Sequence, residues 1–199
     1  MVTTIRVHPT KPNRTRNDAG DKQKGAMMRV PTKDVLRAEF EATRLTFHSL
    51  LASLTADDLR RRSHNPGWTN GELLFHMTLE FLSIPALGRL IRVLGRLPPR
   101  YSHALARLLN SFTSSFNRIN ALIPRLGGKV YTRKRLGALY DRIHRRIVRQ
   151  LDTIPDNEWQ LGMHYPTKWE PLFSDYMTLE EFFYYPIKHF NFHLRQLAR

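Results

Sequence analysis

His189 and His193 stand four residues apart near the end of the chain, and His76 follows Trp68 by eight. Four residues is close to one helical turn, so the first two imidazoles project from one helix face with Cβ atoms roughly 6 Å apart, within reach of a common ion. A closed structural zinc site needs four protein ligands, whereas three ligands and an open position make a catalytic one. His76 is the candidate third ligand. Glu80, one turn after His76, could orient a ligand or bind the ion, or remain an ordinary exposed helix carboxylate. Tyr184 and Tyr185, one turn before the pair, could donate hydrogen bonds to a metal-bound substrate or simply fill the core. By itself a helical His pair serves equally as a packed or solvated pair. His48 sits near the inner face of the first helix, His64, His103, His144 and His164 have no spacing partner, all five read as structural or surface residues, and His8 lies in the tail.

The elements that must position these residues are helical. From Thr32, Val35, Leu36, Phe40, Thr43, Phe47, Leu50, Leu51 and Leu54 recur every three or four residues. Thr69 followed by Glu72 is a capping box that opens the helix carrying His76, and Thr178 with Glu181 opens the last one. Pro186 predicts a kink or break in that last helix, because it removes one backbone hydrogen bond and crowds the carbonyl of Phe182. Between them, Tyr101 to Ile123 and Arg135 to Leu151 read as two amphipathic helices, and Phe81 to Leu97 either continues the His76 helix or restarts after Pro85. Residues 155–171 read as an irregular loop, and strand alternation is not evident.

The 199 residues, 41% hydrophobic, suffice for one domain without staples. There is no Cys, which excludes disulfides, thiolate ligands and a cysteine nucleophile and fits a cytoplasmic setting. The formal net charge of +15 is unevenly spread: Gly88 to Arg149 holds fifteen Lys or Arg and one acid, Asp141. Residues 1–29 carry a surplus of five, which leaves the remainder mildly acidic. A basic middle of this kind predicts an anionic neighbour. Residues 1–30 read as a disordered or extended basic tail ahead of a helical domain over 31–199. The tail lacks the apolar run of a secretory signal, and Met27 and Met28 mark an alternative start.

Taken together, Pro66-Gly67-Trp68-Thr69 through Leu73, Leu74 and His76-Met77, then Met163 to Pro166, Thr178 to Glu181, and His189 and His193 with Arg195-Gln196-Leu197 resemble the DinB/YfiT-like superfamily of metalloenzymes. The resemblance spans roughly Thr32 to Leu197. It implies an all-α four-helix bundle, here with an additional helical segment inserted between helices two and three. It also implies a divalent metal held by His76, His189 and His193. Family members include transferases and isomerases that activate a low-molecular-weight thiol, such as mycothiol or bacillithiol, on the metal. By this resemblance the chain is a metal-dependent thiol transferase or related enzyme acting on a small molecule. The ion itself stays open, since imidazole suits zinc, nickel, iron and copper alike.

Two readings of another class compete. Arg89, Arg92 and Arg96, interleaved with Leu87, Leu90, Ile91, Val93, Leu94 and Leu97, form a basic amphipathic stretch of the kind that lies on anionic membranes, or a bundle helix with a solvated Arg face. No nucleic-acid-binding motif accompanies the charge, so specific nucleic-acid binding is disfavoured. Alternatively the bundle is a non-catalytic binding module. The Phe112 and Phe116 face then either pairs copies into a homodimer or belongs to the core.

Overall fold

The computed structural model describes residues 33–198. The tail expected over 1–30 and the alternative start at Met27 or Met28 lie outside the described residues. Seven helices and one small antiparallel sheet follow in order. Helix α1 (Lys33–Ser53) turns Leu36, Phe40, Thr43, Phe47 and Leu50 inward at the three-and-four spacing of a single face. A one-turn helix α2 (Ala56–Arg60) is closed by a capping box of Thr55 and Asp58. Helix α3 (Asn70–Leu94) opens on the Thr69–Glu72 box, with Thr69 N–H donating to Glu72 Oε2 at 2.8 Å. Then come α4 (Arg100–Ser111), α5 (Thr113–Val130), α6 (Arg133–Thr153) and α7 (Leu179–Leu194).

The bundle is α1, α3, α6 and α7: α3 packs on α6 and α7, and α1 packs on the same two. Helices α4 and α5 are the inserted segment, with α5 laid along α3 and α4 against the small sheet. The core between the four is aromatic. Phe47 stacks on Tyr140 with centroids 4.3 Å apart, and Phe81 sits between Tyr140, Phe40 and Phe190. Burying each such ring contributes about 1.5–3 kcal/mol, which is how the sheetless bundle meets the entropic cost of ordering its long helices.

Three expectations are corrected, and one alternative is decided. Helix α7 runs unbroken through Pro186. The missing hydrogen bond costs about 3 kcal/mol, but Phe182, Phe183, Ile187 and Phe190 around it are all buried, and their packing offsets that cost so that the helix does not break. Of the two readings of Phe81 to Leu97, the helix that carries His76 continues through Pro85. The expected helix from Tyr101 to Ile123 is divided at Phe112, whose φ of −96° and ψ of 16° leave the helical range. Here Ser111 and Thr113 donate their hydroxyls to the carbonyls of Leu108 and Asn110, at 2.6 and 2.7 Å, competing with the helical ladder. Finally, the loop expected over 155–171 contains a 3-10 turn, Asp156–Glu158, and a strand β1 (Gly162–His164), which pairs Met163 with Met177 of β2 (Tyr176–Thr178). Three-residue strands are too short to show alternation.

The basic stretch around Arg89, Arg92 and Arg96 forms the end of α3 and the turn after it. Ile91 is buried and Leu87, Leu90 and Leu94 pack on the core, while Arg92 and Arg96 both pair with Glu158. Val93 and Leu97 of the same stretch stay exposed.

Close approach of α5 to α3 depends on Gly127 and Gly128. A Cβ at 127 would lie 2.1 Å from the ring of Phe75, and one at 128 would lie 3.0 Å from the Cα of Glu72. Phe75 is buried and rests against Tyr131, so it cannot swing aside freely. We expect Gly127→Ala and Gly128→Ala each to lower the urea-unfolding free energy by about 1–3 kcal/mol, although alanine is the better helix former. Stabilisation by the propensity gain instead would show that the two backbones do not touch.

Candidate metal centre

Two helices bring the three histidines together. His76 comes from the second turn of α3 and His189 and His193 from successive turns of α7, and all three are buried, at 3%, 2% and 6% exposure. Ring centroids are 5.0 Å apart for His76 and His189, 4.9 Å for His76 and His193, and 4.4 Å for His189 and His193. One ring nitrogen from each lies within 4.8 Å of the other two. Trp68, just ahead of the capping box, lays its indole 4.5 Å from the His76 ring and donates its N–H to the Ala121 carbonyl of α5.

The relative placement of α3 and α7 is held by amide side chains beside the site. Asn70, fully buried, donates to the carbonyls of Asp58 and Ala198 at 2.9 and 2.7 Å and accepts the Ala198 N–H at 3.0 Å. It thus fastens the chain end after α7 to the start of α3. Gln196 accepts from the Asn65 amide at 3.2 Å, and its backbone carbonyl accepts the His64 N–H at 2.8 Å. Because the same Gln196 oxygen lies 2.8 Å from His193 Nδ1, that nitrogen carries the proton. His193 Nε2 therefore presents a bare lone pair, 3.1 Å from His189 Nε2.

The cluster is electrically neutral near neutral pH. Burial, with the neighbouring His193 charge second, pushes His76 down to about 3. Burial and the other two imidazoles hold His189 well below the ordinary range, and burial lowers His193 against the opposing Gln196 bond. His76 Nδ1 and His189 Nδ1 are buried with no hydrogen-bond partner among the described residues. Desolvated, converging nitrogen lone pairs with no thiolate nearby form a donor set that fits a divalent cation of the zinc, nickel or iron kind.

Beside the histidines lies a narrow cavity of about 190 Å³, walled by apolar side chains such as Leu87, Leu109, Phe116, Trp169 and Phe173. Its lining also includes Glu80, Glu170 and Tyr185. Tyr185 donates its hydroxyl to Glu80 Oε2 at 3.3 Å, and Glu170 Oε2 comes within 3.8 Å of His189 Nε2. Burial, then the Glu170 charge, raises Glu80 to about 7 against the lowering Tyr185 bond. Burial also raises Glu170, opposed by the Leu172 N–H it accepts. Of the two tyrosines, Tyr185 faces this cavity; Tyr184 is only partly buried and lies with its ring 5.0 Å from the Lys188 ammonium. Phe116, a candidate dimer residue, instead stacks on Trp169 at 4.2 Å, while Phe112 is exposed. His48 bonds Asp141, His144 approaches Glu41, and His164 meets Asp175, all away from the cluster.

Sequence reasoning missed Glu170, Asn70 and the anchoring role of Gln196. Glu170 sits in an irregular segment, where no periodicity assigns a face. Asn70, as the first helical residue after the N-cap Thr69, resembled any other helix start.

A family model described as the DinB superfamily matches residues 39–197. No curated protein and no solved structure matches the chain.

Proposed function

The chain belongs to the DinB superfamily, and from that premise we propose that it is a metal-dependent enzyme, a transferase or isomerase that uses a low-molecular-weight thiol in acting on an apolar small molecule. The observation that carries the reading is the convergence of three buried, neutral imidazoles from α3 and α7 on one point. Held by His76, His189 and His193, a divalent ion would supply Lewis acidity, lowering the pKa of a bound water or thiol.

The chain's own groups suit the remaining tasks. Glu80, raised to about 7, can take or give a proton near neutral pH, the condition for general acid–base work. Tyr185 orients that carboxylate through its hydroxyl and stays protonated itself, because burial pushes its phenol above the ordinary range. The aromatic walls at Trp169, Phe116 and Phe173 favour an apolar substrate and exclude water from the reacting groups. With no Cys in the chain, the attacking sulfur comes from a cosubstrate.

Cobalt-loaded protein titrated with low-molecular-weight thiols tests this. A sulfur-to-cobalt charge-transfer band that saturates with thiol, and is missing in His189→Ala, is the expected result. A cobalt spectrum indifferent to every thiol would remove the thiol reading and leave the metal centre.

A further inference from the structure

We propose that α5 is a membrane-docking helix, whose outward face rests on an anionic lipid surface. Pro124, Gly127 and Gly128 seat one side of α5 on α3, and the opposite side is left without a protein partner among the described residues. There Ile119, Leu122, Leu126 and Val130 are 55%, 53%, 55% and 62% exposed, with Ile123 at 41%. At about 100° per residue these five fall within an arc of about 100°. Phe112, 53% exposed, stands at the head of the same helix. A monomer in water rarely shows so continuous an apolar strip.

The charge around the strip selects its occupant. Arg118, Arg125 and Lys129 line one edge of it, within an arc of about 40° at the same helical pitch, and all three are exposed. Arg125 also reaches the Gly67 carbonyl. Neither α4 nor α5 contains an acid, and the single acid between Gly88 and Arg149, Asp141, is engaged by His48 and Arg44. A second copy of the chain would bring like charges together at this face, and the basic residues 1–29 would meet the same repulsion. Nucleic acid would leave the apolar strip in water. An anionic bilayer satisfies both halves: leucine and isoleucine side chains enter the acyl boundary while arginine and lysine reach the headgroups. No described helix is long and apolar enough to cross the membrane, so the contact is peripheral. Phe116 and Asn120 of the same helix line the cavity beside the histidines, so a bilayer held against α5 lies one helix away from it.

The test is co-sedimentation of the full chain with vesicles of phosphatidylcholine alone or mixed with phosphatidylglycerol. The chain should sediment with the mixed vesicles and not with phosphatidylcholine. The Leu122→Gln, Leu126→Gln variant should bind on the order of a hundredfold more weakly, from two lost side-chain insertions. The Arg118→Glu, Lys129→Glu variant should lose on the order of tenfold or more. Both alter exposed positions, and unchanged helical circular dichroism and an unchanged urea-unfolding midpoint serve as the folding controls. Failure of the wild-type chain to sediment with anionic vesicles overturns the proposal, as does undiminished binding by the leucine variant. So does a wild-type dimer that the leucine variant dissociates while vesicles bind neither protein. None of these readouts depends on the metal centre or on activity.

Discussion

Purified without a histidine tag and incubated with zinc or nickel, the protein is expected to retain about one ion per chain, as a three-imidazole centre requires, and His76→Ala, His189→Ala and His193→Ala to retain almost none. Removing any one imidazole leaves two nitrogen donors, and the two α7 residues alone are an ordinary helical pair. Binding should also appear as stability. An ion supplied at a hundredfold over its Kd adds about 2.7 kcal/mol to the folded state, a rise in Tm of roughly 5–10 °C at the 2–4 °C per kcal/mol of a domain this size. The alanine variants should show no such rise, whatever their metal-free Tm. Trp68 offers an internal reporter: its indole lies 4.5 Å from the His76 ring, so nickel or copper in the cluster should quench its fluorescence. Trp68→Phe should abolish most of that quenching, although Trp159 and Trp169 remain. Wild-type protein that binds no ion in elemental analysis, or alanine variants that bind as wild type does, would end the metal reading.

The three ligands were legible because each sits at a position that periodicity can assign. His189 and His193 share a turn, and the Thr69–Glu72 box sets the phase of α3, which turns His76 inward with Leu73 and Met77. What the sequence could not supply was the convergence of the two helices, since that depends on contacts between positions more than a hundred residues apart. Asn70 to Ala198 and Asn65 to Gln196 are such contacts. Pro186 misled for a related reason: its local cost is readable from the chain, but the aromatic packing that outweighs it belongs to the assembled bundle. The basic middle was legible as charge but not as surface. Only the fold shows that Arg92 and Arg96 are paired to Glu158 and that the exposed apolar strip lies on α5.

Metal-free protein is expected to lose stability on acidification in two stages, slowly between pH 6.5 and 4.5 and steeply below. His76, His189 and His193 all titrate lower in the folded protein than their ordinary 6.5. Below pH 6.5 the unfolded chain therefore binds protons that the folded chain refuses, and stability falls as pH falls. Each such proton is worth about 1.4 kcal/mol per pH unit. Glu80, raised from 4.5 to about 7, and Glu170, also raised, act in the opposite sense. Between pH 4.5 and their folded values they are protonated in the folded chain and ionised in the unfolded one. The stability they lend is complete below 4.5 and is lost as pH rises. Elsewhere, His144 is lowered and Glu180 raised, which offset each other in sign. In the upper window the lowered imidazoles and the raised carboxyls oppose each other, so the decline there is shallow. Below 4.5 the carboxyls no longer compensate, and the decline steepens, with His76, held near 3, still refusing its proton. Asp141 and Glu41, both lowered by their hydrogen-bonded partners, add to it there. Urea-unfolding midpoints of chelator-treated protein across this range read the slope directly. Glu80→Gln supplies the decisive comparison, because it removes a compensating carboxyl and should steepen the decline between pH 6.5 and 4.5. A Glu80→Gln profile parallel to wild type would place that carboxyl in water instead of against the cavity, and would withdraw its role as the proton carrier beside the metal centre.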